Sequence, residues 1–144
     1  MDNAYVYSMR EHLAGIKVEL EGLTEITKKR SLSQYEYRAA ERTLQILIEA
    51  CIGIAKQWSY AISKTAPADA YGAFERLSQQ GIESVEKVQW REIIGMRNAL
   101  VHDYLNIEAE IIKTVIKNAI YQQLNEFTSS GLDALDILYQ STNH

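Results

Sequence analysis

Ser33 to Trp58, SQYEYRAAERTLQILIEACIGIAKQW, is the stretch that decides the fold. Ser33 with Glu36 three residues later reads as a capping box. In such a box the serine hydroxyl accepts from the backbone N–H three residues on, and the glutamate reaches back to the serine N–H. Past that start, Leu44, Leu47, Ile48, Cys51, Ile54, Ala55 and Trp58 recur with the 3.6-residue period of an α-helix. The face they make is broad and apolar, as in a helix turned into the interior of a bundle. Cys51 on that face reads as a buried small hydrophobe.

The same period continues in both directions. Upstream, Val6, Met9, Leu13, Ile16, Leu20 and Leu23 form one stripe on a long first helix. This helix stops near Lys28-Lys29-Arg30, whose cations suit a helix C-terminus. The stripe suits the bundle interior, and it would equally suit packing against a second subunit. Downstream, Thr65-Ala66-Pro67-Ala68-Asp69 breaks the pattern, because proline disfavours helix in the residue before it and Asp69 can cap the next helix. That short helix, with Phe74 and Leu77, should end at Gly81. Ser84 is the expected cap of another, with Val85, Val88, Ile93, Met96 and Leu100 on its apolar face. Asn106 is the expected cap of a last long helix carrying Ile111, Ile112, Val115, Ile116, Ala119, Ile120 and Leu124. Ser129-Ser130-Gly131 should interrupt that helix, leaving Leu132, Leu135, Ile137 and Leu138 to a short terminal one. No segment alternates with period two for long enough to be a strand. The expected architecture is an all-α, up-and-down bundle of four to five helices in one domain spanning residues 1–144.

Composition narrows the function classes. With one cysteine among 144 residues, an intramolecular disulfide and a multi-cysteine zinc site are both excluded. Three histidines (His12, His102, His144) argue against a histidine-rich metal cluster, so neither metal nor cofactor is expected. No run of about 18 apolar residues suggests a membrane span, and Met1-Asp2-Asn3-Ala4-Tyr5 does not read as a secretory signal. The expected location is the cytoplasm. Fifteen Lys and Arg against nineteen Asp and Glu give a net charge of −4, which by itself argues against a nucleic-acid partner.

One segment stands out from this structural background: Gly95-Met96-Arg97-Asn98-Ala99-Leu100-Val101-His102-Asp103-Tyr104. It crowds Arg97, Asn98, His102, Asp103 and Tyr104 into eight residues. If helical, Asn98 and His102 share a face and Arg97 nearly aligns with Tyr104, while Arg97 and His102 lie about 140° apart. Arginine presents a planar fork of donors suited to phosphate, and histidine moves protons near neutral pH. Together they suit metal-free RNA cleavage, in which the ribose 2′-oxygen attacks the adjacent phosphate. That chemistry wants two proton-transfer groups and each chain offers one suitable histidine. A symmetric homodimer would supply two. On spacing alone, a hydrogen-bonded structural network at a helix end explains the same residues.

Arg97-Asn98-Ala99-Leu100-Val101-His102-Asp103-Tyr104 resembles the signature of the HepT-like toxins of the HEPN superfamily. That signature reads arginine, a polar residue, three more residues, histidine, any residue, tyrosine. The likeness extends to Arg42–Ala55, the helix with Phe74 and Leu77, Trp90–Met96 and Leu105-Asn106-Ile107. It implies an all-α homodimer acting as a metal-independent endoribonuclease on tRNA or mRNA, in a toxin–antitoxin pair. By the same resemblance, Arg97 and His102 are the catalytic pair in a cleft between subunits, and Asn98 supports them. Tyr104 would be the residue that an MNT-type minimal nucleotidyltransferase antitoxin modifies with AMP from ATP. The alternative is a non-catalytic helical partner and modification substrate of that nucleotidyltransferase.

Other candidates rank below these. Arg38, Arg42, Lys87 and Arg91 are possible cations near the motif, and Lys28-Lys29-Arg30 reads first as a solvated helix end. His12 reads as a surface or structural residue, and His144 as a frayed terminus. Trp58 and Trp90 suit core or interface packing. With −4 overall, RNA affinity should be local to a cleft, with a shallow salt dependence.

Overall fold

The structure, a computed structural model, describes residues 3–102 and 108–142. Within them the chain forms α1 (Asn3–Thr27), α2 (Gln34–Ser63), α3 (Ala70–Gln79), α4 (Glu83–Glu86), α5 (Trp90–Val101), α6 (Ala109–Lys117) and α7 (Gln122–Thr142). Among the described residues there is no strand. The all-α bundle is as expected, but it is cut into seven pieces rather than four or five. None of these helices is long and apolar enough to cross a membrane.

The central helix is α2, packed against α1, α3, α5, α6 and α7. Its capping box is present as the sequence implies. Glu36 N–H donates to Ser33 Oγ at 3.1 Å and Ser33 N–H donates to Glu36 Oε1 at 2.7 Å. Leu44, Leu47, Ile48, Cys51, Ile54 and Ala55 are wholly buried and Trp58 nearly so. Val6, Leu13, Ile16, Leu20 and Leu23 of α1 are buried against them within one chain, and Met9 packs on the edge of the core. Burial also pushes the Cys51 thiol well above its ordinary pKa, as expected for a cysteine used as a hydrophobe.

An aromatic cluster ties four helices together. Phe74 of α3 stacks on Trp90 of α5 at 3.8 Å between ring centroids, and Trp90 meets Phe127 of α7 edge-on at 4.9 Å. Phe127 also reaches Trp58 of α2, at 6.0 Å. The Trp90 indole N–H donates to Val85 O at 2.9 Å. The same segment corrects one expectation. The expected single helix from Ser84 to Leu100 is broken between Glu86 and Trp90, where the Val85 carbonyl accepts from the Val88 N–H at 3.3 Å as well as from the indole. Nor is Ser84 a cap. Ile82 holds that position, and the buried Ser84 hydroxyl has no hydrogen-bond partner among the described residues.

The final break is also displaced. The chain turns at Asn118–Tyr121, and α7 runs unbroken through Ser129-Ser130-Gly131. Ala119 takes a left-handed φ of 51°, with Ala119 N–H donating to Ile116 O at 3.2 Å and Ile120 N–H to Val115 O at 3.0 Å. This pair of bonds is a Schellman motif with alanine where glycine is usual. Thr24 of α1 secures it from the core. Its hydroxyl donates to Ile116 O at 2.7 Å, so the Tyr121 hydroxyl, 2.6 Å away, is the donor in their shared bond. Gly131 is not a breaker, because it lets α7 approach α2. A Cβ there would stand 2.5 Å from Ile54 Cγ2 and 3.3 Å from Trp58 Cε3.

Candidate active site

The motif occupies the C-terminal end of α5. Arg97 and Asn98 lie in its last two turns, and His102 is the C-cap residue, its N–H donating to Asn98 O at 3.0 Å. The His102 φ and ψ of −105° and 85° leave the helical region, so the motif straddles a helix end rather than continuing a helix. Asn98 and His102 stay one turn apart, as their spacing implies. Tyr104, Asp103 and Asn106 lie outside the described residues, as does His144. The alignment of Arg97 with Tyr104 lies outside them too. The helix expected to start at Asn106 is the nine-residue α6, which opens at Ala109 with Glu108 at its cap position.

Arg97 is held at two edges. Its Nε donates to Asn98 Oδ1 at 2.9 Å, and its Nη1 to Glu49 Oε1 of α2 at 3.0 Å. The sequence resemblance casts Asn98 as a support of the catalytic pair, and in this chain its side-chain oxygen turns to the arginine. The Arg97 side chain is 23% exposed, so the guanidinium sits at the rim, shielded on one side by the protein and open on the other. His102 is exposed.

Direction along the bundle sorts the other cations. Phe127 touches both Trp58, late in α2, and Trp90, at the start of α5. Arg97 meets Glu49, nearer the middle of α2. The two helices therefore run antiparallel, and beyond Arg97 the motif heads toward the N-terminal half of α2. Arg42 and Arg38, seven and eleven residues before Glu49, fall within about 20° of it around the helix. They share its face and lie on the side toward which the chain runs beyond Arg97. Arg42 is exposed, and Arg38 pairs with Glu41 at 3.1 Å. Lys87 and Arg91 point elsewhere. Lys87 pairs with Glu126 of α7 at 3.3 Å, and the Arg91 guanidinium lies 5.3 Å from the centroid of the Tyr71 ring, at the opposite end of α5. Lys28 and Arg30 pair with Glu25 and Glu36, as solvated helix ends do. His12 is on the exposed side of α1. Among the described residues, no three His, Cys, Asp or Glu side chains are grouped to hold a metal ion.

A family model described as ribonuclease HepT-like matches residues 10–130. The chain belongs to the HepT-like ribonuclease family. Among curated proteins and among solved structures, no match is found. The matched range takes in α1 through most of α7, so the HepT-like likeness covers the bundle together with the motif at the end of α5. The sequence resemblance is thereby borne out at the level of the family.

Of the candidate site residues, Arg97, Asn98 and His102 can be found in the sequence through their match to the family signature. Glu49 cannot. It lies 48 positions from Arg97, in a helix whose sequence reads as core.

Proposed function

We propose that this chain is the toxin of a HEPN/MNT toxin–antitoxin pair, a metal-independent endoribonuclease acting on tRNA or mRNA in the cytoplasm. The observation that carries the reading is the arginine–histidine pair at the end of α5, with the guanidinium braced from two sides, in a chain of a ribonuclease family. His102 in its neutral form takes the ribose 2′ proton. The 2′-oxygen then attacks phosphorus, and Arg97 stabilises the charge on the phosphorane. A protonated histidine returns a proton to the departing 5′-oxygen. The products are a 2′,3′-cyclic phosphate and a 5′-hydroxyl.

One chain supplies one motif histidine, and the full cycle wants a base and an acid. The reading therefore includes a homodimer that brings two Arg97–His102 pairs across one groove. Arg42 and Arg38 supply cations beside it, which reconciles RNA binding with a net charge of −4.

Silencing is by modification. The Tyr104 hydroxyl attacks the α-phosphorus of ATP in the nucleotidyltransferase partner and releases pyrophosphate. The tyrosine then carries AMP two residues from His102. The added phosphate competes with RNA for Arg97.

Expression of the chain alone and with a cognate nucleotidyltransferase tests the reading. Growth should arrest with wild type alone, but not with His102→Ala or with the partner present. Intact mass after co-expression should rise in multiples of AMP and stay unchanged in Tyr104→Phe. Growth without arrest, combined with a modified tyrosine, would favour a non-catalytic modification substrate.

A further inference from the structure

Glu49 comes from α2, and no spacing rule connects it to the motif, yet its carboxylate meets the Arg97 guanidinium at 3.0 Å. We propose that Glu49 is the positioning residue of the site. It fixes the plane and reach of Arg97 so that one face of the guanidinium is presented to the scissile phosphate. The inference rests on the ribonuclease reading above and adds a residue to it.

A guanidinium has five N–H groups. Asn98 takes the one on Nε and Glu49 takes one on Nη1, leaving three: one on Nη1 and both on Nη2. Binding of phosphate through the Nε edge is blocked by Asn98. The remaining fork is the one formed by Nη1 and Nη2, at the tip of the side chain. Two anchors, one within α5 and one across to α2, also remove the rotational freedom of a long side chain. In the absence of RNA that freedom is otherwise kept, and it must be lost on binding. Asn98 alone, adjacent in sequence, cannot set how far the tip reaches from α5. The contact to a second helix can.

Charge points to the same residue. Glu49 is 46% exposed, so its carboxylate is hydrated and attracts the guanidinium only moderately. It still offsets one positive charge where a phosphate must arrive. An acidic residue there weakens ground-state binding of RNA. Its benefit then lies in geometry, and geometry acts on the chemical step. Glu49 therefore raises kcat and also raises KM. This combination separates positioning from a merely structural ion pair, whose removal changes neither once the folded fraction is matched.

The test uses the full chain with a single-stranded RNA substrate and wild type, Glu49→Gln and Glu49→Ala. Glutamine keeps the side-chain oxygen acceptor and loses the charge, while alanine loses both. The expected result is a kcat lowered about 10- to 100-fold in Glu49→Ala, the size expected when a catalytic group is misplaced by about an ångström. In Glu49→Gln, kcat is largely restored and KM is lower than in wild type. A second readout is independent of cleavage. The Arg97 Nη1–H resonances should be resolved and slow to exchange in wild type and Glu49→Gln, and broadened by rotation in Glu49→Ala. Equal kcat in all three proteins, or a faster Glu49→Ala, overturns the inference, as does a glutamine variant as slow as alanine. If wild type cleaves no RNA while the resonances behave as described, the ribonuclease reading fails and the anchoring of Arg97 stands.

Discussion

The first turn of α5 buries Trp90 between Phe74 and Phe127 and commits its indole N–H to the Val85 carbonyl. The last turn of the same helix holds Arg97 at the rim of the bundle and leaves His102 exposed at the cap. Packing sets the position of the helix at one end, and charge-assisted hydrogen bonds set the direction of a side chain at the other. The difference implies a division of labour. Substitutions at the start of α5 should act on stability, and those at its end on chemistry.

The most severe stability change should be Trp90→Ala, which empties the aromatic cluster and removes the indole hydrogen bond to the Val85 carbonyl. Urea unfolding should show a loss of about 3–5 kcal/mol. His102→Ala at the other end should leave the unfolding free energy within about 0.5 kcal/mol of wild type. A comparable loss from both would break the contrast. Next in size is Gly131→Ala. The added Cβ meets Ile54 and Trp58 in the α2–α7 crossing, and overpacking of this kind costs about 1–3 kcal/mol. Unchanged stability in that variant would show that the crossing yields easily.

Ala119→Gly should act in the opposite direction. A left-handed φ costs an L-residue about 1–2 kcal/mol, partly offset by the greater freedom of glycine in the unfolded chain. Thermal unfolding should therefore show a net gain of about 0.5–1 kcal/mol. The smallest effect is at the head of α2. The Glu36 carboxyl is held down to about 2, first by the hydrogen bond from Arg30 and then by the Ser33 N–H. Because its folded pKa is depressed, its contribution is complete above the usual carboxylate range and is lost as pH falls toward 2. The melting temperature of Glu36→Gln should then fall less steeply than that of wild type over the same acid window.

The two ends of α5 also differ in how much of them the sequence reveals. Helices α1 and α2 are readable because a long apolar stripe and a serine–glutamate capping box are local signals. Arg97, Asn98 and His102 are readable as candidates because the signature they match is local too, although their spacing alone fits a structural network equally well. The break at Val85–Trp90 is not readable, because it accompanies the docking of the Trp90 ring between Phe74 and Phe127, side chains of helices distant in the chain. At Ala119 nothing in the sequence announces a left-handed residue, and the turn is held by Thr24 and Tyr121 from the core. Gly131 carries a breaker's signature, but close approach to α2 is its real reason. Glu49 is invisible for the same cause as Thr24: its partner lies far away in the chain.

The central claim, that the exposed end of α5 performs the chemistry, is tested most directly with purified protein and a labelled single-stranded RNA. Wild type and His102→Ala are compared at matched folded fraction, with EDTA present throughout. Wild type should cleave and leave 2′,3′-cyclic phosphate ends, and His102→Ala should be slower by a factor of about 10²–10⁴. Cleavage by His102→Ala at the wild-type rate, or wild-type cleavage abolished by EDTA, would contradict it.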